Sequence, residues 1–298
     1  MLNKLKNAVW IIFRRGNPIS RLHLYFLFQK ETRSWLKTFG WEDRIRNAVE
    51  CPDNKKIPRV QTAGVVKEGI LTLHNGIKVG ALSYDGEGPM KLMMANAGVH
   101  EPQEEFIFQE VLKTIDPGSW MLELGAYWAF YSIWFYQTVQ NSRCICIEPD
   151  PQNITMGQKN FSLNFGDIPS GVFFECAYAG STDGKAENGH PVHCVDSVMS
   201  KRQLEHLAIL HADTQGHELN VLMGSIKSLE RKQIAWIFLS THSNELHRKC
   251  ISFLKKMDYR IVADADLLES YSYDGLIVAC NKDIQIPGNL NISLRGGG

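Results

Sequence analysis

Trp120-Met-Leu-Glu-Leu-Gly-Ala-Tyr-Trp-Ala-Phe-Tyr-Ser-Ile-Trp-Phe135 decides the fold of this chain. Asp116-Pro117-Gly118 is a turn signal that frees Met121 to Leu124 to form a short buried strand. Gly125 permits a positive φ and a close backbone approach where the chain leaves that strand. Tyr127, Phe130, Tyr131 and Trp134 then recur at three- and four-residue spacing, the period of a helix packed on a sheet. Glu123 falls at the carboxyl end of the strand, where open α/β sheets bind ligands. A second strand, Arg143 to Ile147, ends in Glu148-Pro149, placing an acid where it can accept hydrogen bonds from ribose hydroxyls. Strand, turn, helix and strand in this register predict a nucleoside pocket.

The surrounding chain repeats the alternation. Asn153 to Phe165 reads as a helix, Val172 to Cys176 as a third strand, and Ala177 to Gly184 as a loop. Leu207 to Ala212 is a fourth strand ending at Asp213, followed by an amphipathic helix from Glu218 to Glu230. Ile234 to Leu239 is a fifth strand, with a helix from Glu245 to Met257 after it. Tyr259 to Val262 and Asp274 to Cys280 lie close enough to pair antiparallel. The prediction is an α/β fold with a mostly parallel seven-stranded sheet and an antiparallel edge strand. Upstream, Asn75-Gly76 joins two β-rich runs into a hairpin, and a loop containing Gly86, Gly88 and Pro89 follows. Glu101-Pro102 opens the helix that leads to the central strand. The expected divisions are a basic and aromatic helical segment over 1–64, the hairpin over 65–98, a ligand-binding domain over 99–286 and a tail over 287–298.

Composition bounds the function. The chain has 298 residues, 44% of them hydrophobic, and a formal net charge of +0. A neutral chain lacks a whole-protein basic footprint, so nucleic acid is not the expected partner. The seven cysteines form no Cys-x-x-Cys pair, and the apolar run Ala8 to Phe13 is too short to span a membrane or to be a signal core. A cytoplasmic protein with reduced thiols is expected. The N-terminal mixture of Lys4, Lys6, Trp10, Phe13, Arg14 and Arg15 suits a helical cap on its own domain or on a dimer partner, or a weak contact with an anionic membrane surface.

Three blocks carry a family resemblance: Glu101-Pro102, Glu123-Leu-Gly125-Ala126, and Asp213-Thr-Gln-Gly216-His217-Glu218. From about Val99 to Ala279 the chain resembles the FkbM-type methyltransferases, a family of the Rossmann-like class I S-adenosylmethionine-dependent enzymes. The last block is similar to the family's Asp-x-Glu-Gly-x-Glu signature, with Gln215 where Glu is usual. The family's Asn-x-Gly after Gly-Ala is replaced by Tyr127-Trp128-Ala129. Tyr127 or Trp128 is expected to supply packing in place of the missing residues.

The resemblance implies S-adenosylmethionine as cofactor and transfer to a sugar, glycan or other natural-product hydroxyl. It also implies a cofactor site of Glu101, Glu123, Gly125, Ala126, Tyr127, Glu148, Pro149, Cys176, Ala177 and Asp213. Within that frame Glu123 attracts the ammonium group, Glu148 holds the ribose, and Cys176 with Ala177 flanks the adenine. Asp213 orients the acceptor or takes its proton, and His242 is the leading general base because an unperturbed imidazole titrates near neutrality. His217 is a weaker candidate. Asp213, His242 and Asn244 have divalent-cation ligand types, but hard cations want more oxygens, so no metal is assigned. A nicotinamide dehydrogenase is disfavoured because Gly125-Ala-Tyr-Trp-Ala129 lacks the later glycines that admit a pyrophosphate. A non-catalytic module on the same fold is the other alternative.

Overall fold

The structure, a computed structural model, describes residues 40–296. The expectations for the N-terminal cap, dimer contact and membrane surface fall mostly on residues 1–39 and lie outside them. Contacts divide the chain into Met1–Asp43 and Arg44–Gly298, and apart from the first residues of helix α1 the elements below belong to the second unit.

The described residues begin with helix α1 (Trp41–Glu50), a 3₁₀ turn (Pro52–Lys56) and a small antiparallel sheet of β1 (Val66–Lys67), β2 (Ile70–Thr72) and β3 (Lys78–Gly80). Asn75-Gly76 lies between β2 and β3. Helix α2 (Glu87–Ala95) occupies the stretch read as a loop. Gly86 stands before it at φ 81, and Pro89 sits in the first turn, where a missing N–H costs no helical bond.

Helix α3 (Pro102–Leu112) feeds β4 (Trp120–Leu124), followed by α4 (Phe130–Thr138), β5 (Arg143–Ile147), α5 (Pro151–Phe165) and β6 (Val172–Glu175). A second small sheet then forms from β7 (Tyr178–Ala179), β8 (Gly184–Lys185) and β9 (Pro191–His193). β7 and β8 are too short for any period to announce them, whereas β9 overlaps a short edge segment that the sequence offers over Val192 to Asp196. The chain continues through α6 (Val195–Lys201), β10 (Leu207–Ala212), α7 (Glu218–Met223), α8 (Ile226–Glu230), β11 (Ile234–Thr241), α9 (Asn244–Lys256), β12 (Tyr259–Ala265) and β13 (Gly275–Asn281). The helix expected from Glu218 to Glu230 is thus broken at Gly224, where an added Cβ would meet the Gly180 carbonyl oxygen at 2.2 Å.

The seven strands run in the order β12-β13-β11-β10-β4-β5-β6. β10, β11, β4, β5 and β6 pair in parallel, whereas β13 is antiparallel to both its neighbours. The short link after β12 forces that reversal, and β13 lies one place in from the edge. Covered on both faces, the central strands can be apolar throughout: Leu122, Leu124, Ile145, Ile147, Leu210, Ile237 and Ile277 share one buried core. This is the Rossmann-like α/β architecture, mostly parallel with one antiparallel strand, that the resemblance implied. Among the described residues no helix is long and apolar enough to cross a membrane.

Candidate functional site

The sheet order reverses direction between β10 and β4, and a cavity of about 460 Å³ opens there at the carboxyl ends of the strands. Glu101, Glu123, Gly125, Ala126, Tyr127, Glu148, Pro149, Ala177, Asp213 and His217 all line it. Two expected residues do not. The thiol of Cys176 turns to the Pro149 carbonyl and His190 Nδ1, each at 3.6 Å, because side chains alternate at the end of a strand. His242 lies behind Asp213, off the wall.

The turn after β4 is tighter than its residue types suggest. Gly125 has φ 76, and a Cβ there would fall 1.8 Å from the Asp213 carbonyl oxygen. Two strand ends crowd at this point, so only glycine fits. Tyr127 and Ala129 follow at φ 42 and 60, which postpones α4 until Phe130 and corrects the expectation that Tyr127 lies on the helix. These are the two positions where Asn and Gly are usual in the resembling family, and both of those residues adopt left-handed backbone readily. Here the left-handed backbone is adopted without them. Trp128 is stacked on Tyr84 at 4.8 Å between centroids and on Phe130 at 5.2 Å, and its carbonyl accepts from Asn160 Nδ2 at 2.9 Å.

Glu148 is pinned by three donors: Tyr127 N at 3.2 Å, Asp150 N at 3.0 Å and Asn153 Nδ2 at 3.1 Å. Burial still lifts its pKa above the usual carboxylate range. Glu123 accepts from Ser132 N at 3.1 Å, and burial pushes it up to about 7 against the pull of His211 and Ser132.

Beside these lies a network of acid–imidazole pairs absent from the sequence reading, of which His100, Glu101 and His211 line the cavity. Glu101, Glu104 and Glu105 share one face at the start of α3, and each is paired to an imidazole. His100 sits between Glu101 and Glu105 at 3.0 and 2.7 Å. His74 meets the other oxygen of Glu105 at 3.0 Å, and His211 meets Glu104 at 2.7 Å. Burial alone would depress His100, but its two glutamates hold it up at about 10. The legible signal was three acids at helical spacing on a helix with no solvent-facing pattern.

At the opposite rim, the Asp213-Thr-Gln-Gly-His-Glu218 block folds back on itself. Glu218 Oε1 accepts from Thr214 N, Thr214 Oγ1 and Gly216 N at 3.0 to 3.1 Å. His242 is enclosed by carboxylates: Glu218 lies 3.2 Å from Nδ1, and Asp213 and Asp274 lie 3.3 and 3.5 Å from Nε2. Despite partial burial they raise its pKa to about 10. A ring already protonated at neutral pH is a poor general base. Asn244 turns away, its Oδ1 accepting from Leu267 N at 3.0 Å. Asp274 had no local signal; β13 delivers it from a distant part of the chain.

The Methyltransferase FkbM domain family matches residues 95–261. No curated protein matches the chain. Among solved structures, precorrin-6y C5,15-methyltransferase from Geobacter metallireducens GS-15 is 12% identical, with 60% of this chain and 88% of that one covered at a TM-score of 0.41. The putative tRNA (m1A22) methyltransferase Sp1610 of Streptococcus pneumoniae, in complex with S-adenosyl-L-methionine, is 13% identical over 60% and 73% of the two chains, with a TM-score of 0.41. M. capricolum TrmK in complex with S-adenosyl-homocysteine is 13% identical over 59% and 68%, with a TM-score of 0.37.

Proposed function

The chain belongs to the FkbM methyltransferase family, and we propose that it transfers a methyl group to a hydroxyl oxygen of a sugar, glycan or other natural product. S-adenosylmethionine is the donor. The observation that carries the reading is the convergence of Glu101, Glu123, Gly125, Glu148 and Asp213 on one cavity at the reversal of strand order. The donor-binding unit is assigned to residues 99–286.

In this reading Glu148, its carboxylate fixed by backbone and amide donors, accepts the ribose hydroxyls. Glu101 and Glu123 face the donor's ammonium end, while Ala177 and Tyr178 border the adenine. An acceptor oxygen attacks the sulfonium methyl in line. The sulfur–carbon bond breaks as the oxygen–carbon bond forms, leaving S-adenosylhomocysteine and one proton to remove. His242 is already protonated, so His217 takes that proton. It is the one imidazole of the two on the cavity wall, and its Nδ1 lies 3.4 Å from the Asn220 amide. Asp213 orients the acceptor hydroxyl.

Calorimetric titration with S-adenosylmethionine and with NAD tests this directly. Saturable binding of the first alone is expected, weakened about tenfold or more by Glu148→Ala, the loss of one or two hydrogen bonds. Binding of neither cofactor overturns the enzyme reading, and binding of NAD alone replaces it with hydride transfer.

A further inference from the structure

We propose that His211, held in place by Glu104, receives the carboxylate at the amino-acid end of the methyl donor, with Glu123 opposite it taking the ammonium group. The assignment rests on the methyltransferase reading. S-adenosylmethionine carries an ammonium and a carboxylate on one carbon, so its amino-acid end needs an acid and a cationic donor side by side. Glu123 and His211 are partners in the parallel register of β4 and β10. Paired residues on adjacent strands stand on one face of the sheet, about 4.8 Å apart. Both line the cavity, although they are only 3% and 4% exposed.

Elimination leads to the same ring. Among the described residues that line the cavity there is no lysine or arginine, so an entering carboxylate must find an imidazole or a backbone N–H. At the start of α4, Ser132 N already donates to Glu123 at 3.1 Å. His100 has each nitrogen against a glutamate, and His217 stands on the exposed rim. His211 differs from both. Its Nε2 lies 2.7 Å from Glu104 Oε1, and Ser240 Oγ donates to the other oxygen of that carboxylate at 3.4 Å. Tyr131 packs on the ring at 4.3 Å between centroids, so it is fixed. Its Nδ1, however, is buried without a hydrogen-bond partner, which is costly unless a ligand completes it. Burial alone would lower the pKa of the ring, but Glu104 raises it, and the ring keeps a second proton to donate.

Reach and charge agree with this placement. Glu148 follows β5, and β5 lies two strands from β10, about 10 Å across the sheet. The donor's path from a ribose hydroxyl to its carboxylate is about nine bonds of roughly 1.5 Å in zigzag, which covers that span. Glu104, His211, the donor's carboxylate, its ammonium and Glu123 then alternate in sign, and the sulfonium offsets the remaining negative charge.

The experiment is calorimetric titration of the full chain with S-adenosylhomocysteine and with its decarboxylated analogue, which keeps the ammonium group. The natural chain is expected to prefer S-adenosylhomocysteine about 10- to 100-fold, the worth of one charged hydrogen bond. His211→Leu should abolish that preference while leaving affinity for the analogue within about threefold of the natural chain. If the unpaired Glu104 keeps this variant from folding, Glu104→Gln combined with His211→Leu removes the stranded charge and should give the same result. Equal binding of the two ligands by the natural chain, or a preference that survives the loss of His211, overturns the assignment. Loss of affinity for both ligands by the same factor also overturns it, since a merely structural histidine would act that way. Binding of neither ligand by the natural chain removes the methyltransferase reading together with the proposal.

Discussion

Two imidazoles, His100 and His242, are each held between carboxylates and each raised to about 10, yet they sit in opposite kinds of surroundings. His100 is 6% exposed, ringed by Tyr84, Trp128, Phe130 and Tyr131, and its partner Glu105 is 0% exposed. His242 has a side chain 19% exposed, and its partner Asp213 opens onto the cavity. His100 and Glu101 also line the cavity, but Glu105 is fully buried and off its wall, and the His100–Glu105 pair is a clamp because removing the Glu105 charge leaves buried donors without it. Where water and ligands enter, the same chemistry leaves positions that can be exchanged. Burial, more than pairing, separates structure from function here.

The largest effect that would break this contrast is at the inner cluster. Glu105 also accepts the backbone N–H groups of His100 and Glu101 at 2.8 and 2.9 Å. Glu105→Ala takes one carboxylate from each of two buried imidazoles, leaving His100 with Glu101 and His74 with the Pro58 carbonyl, and leaves two amides unpaired; a loss of about 3–5 kcal/mol is expected in urea denaturation followed by circular dichroism. A loss under about 1 kcal/mol would mean that water reaches the inner cluster after all.

Glu123 sharpens the contrast, being buried like the first cluster but on the cavity wall. Its folded pKa of about 7 exceeds the ordinary 4.5. The native state therefore keeps a proton that the unfolded chain gives up, and stability falls as pH rises from about 4.5 to about 7. The full swing is about 3 kcal/mol. Denaturation midpoints measured across that window should decline for the natural chain and flatten for Glu123→Gln. Equal slopes for both would show that the carboxyl is ionised throughout. The smallest effect belongs to the rim: Asp274→Asn relieves crowding of like charges around one imidazole, and a change within about 1 kcal/mol is expected in the same assay. A larger loss would place the rim cluster among the clamps.

What was legible in the chain follows the reach of local rules. β4, α4 and β5 are covered by period and turn chemistry, and the fixed length of a strand-helix-strand unit carried Glu148 to the cavity with them. Gly125 was legible as a turn, but its reason was not, since the Asp213 carbonyl comes from another strand. The loop expected at Gly86 to Pro89 failed because Gly and Pro, breakers inside a helix, are tolerated at its start. The pairs His74–Glu105 and His211–Glu104, and the arrival of Asp274 at His242, depend on how distant elements pack together. No spacing within a single segment encodes them.

The place of β13 has a consequence for synthesis. β13 follows β11 and β12 in sequence and is inserted between them, both made earlier. Until it emerges, β11 shows a long unpaired flank, the kind of edge that recruits strands from other molecules. The first residue before that strand is Asp274. The rim cluster is therefore completed in the same late event that closes the sheet, and a nascent chain cannot assemble it ahead of its fold.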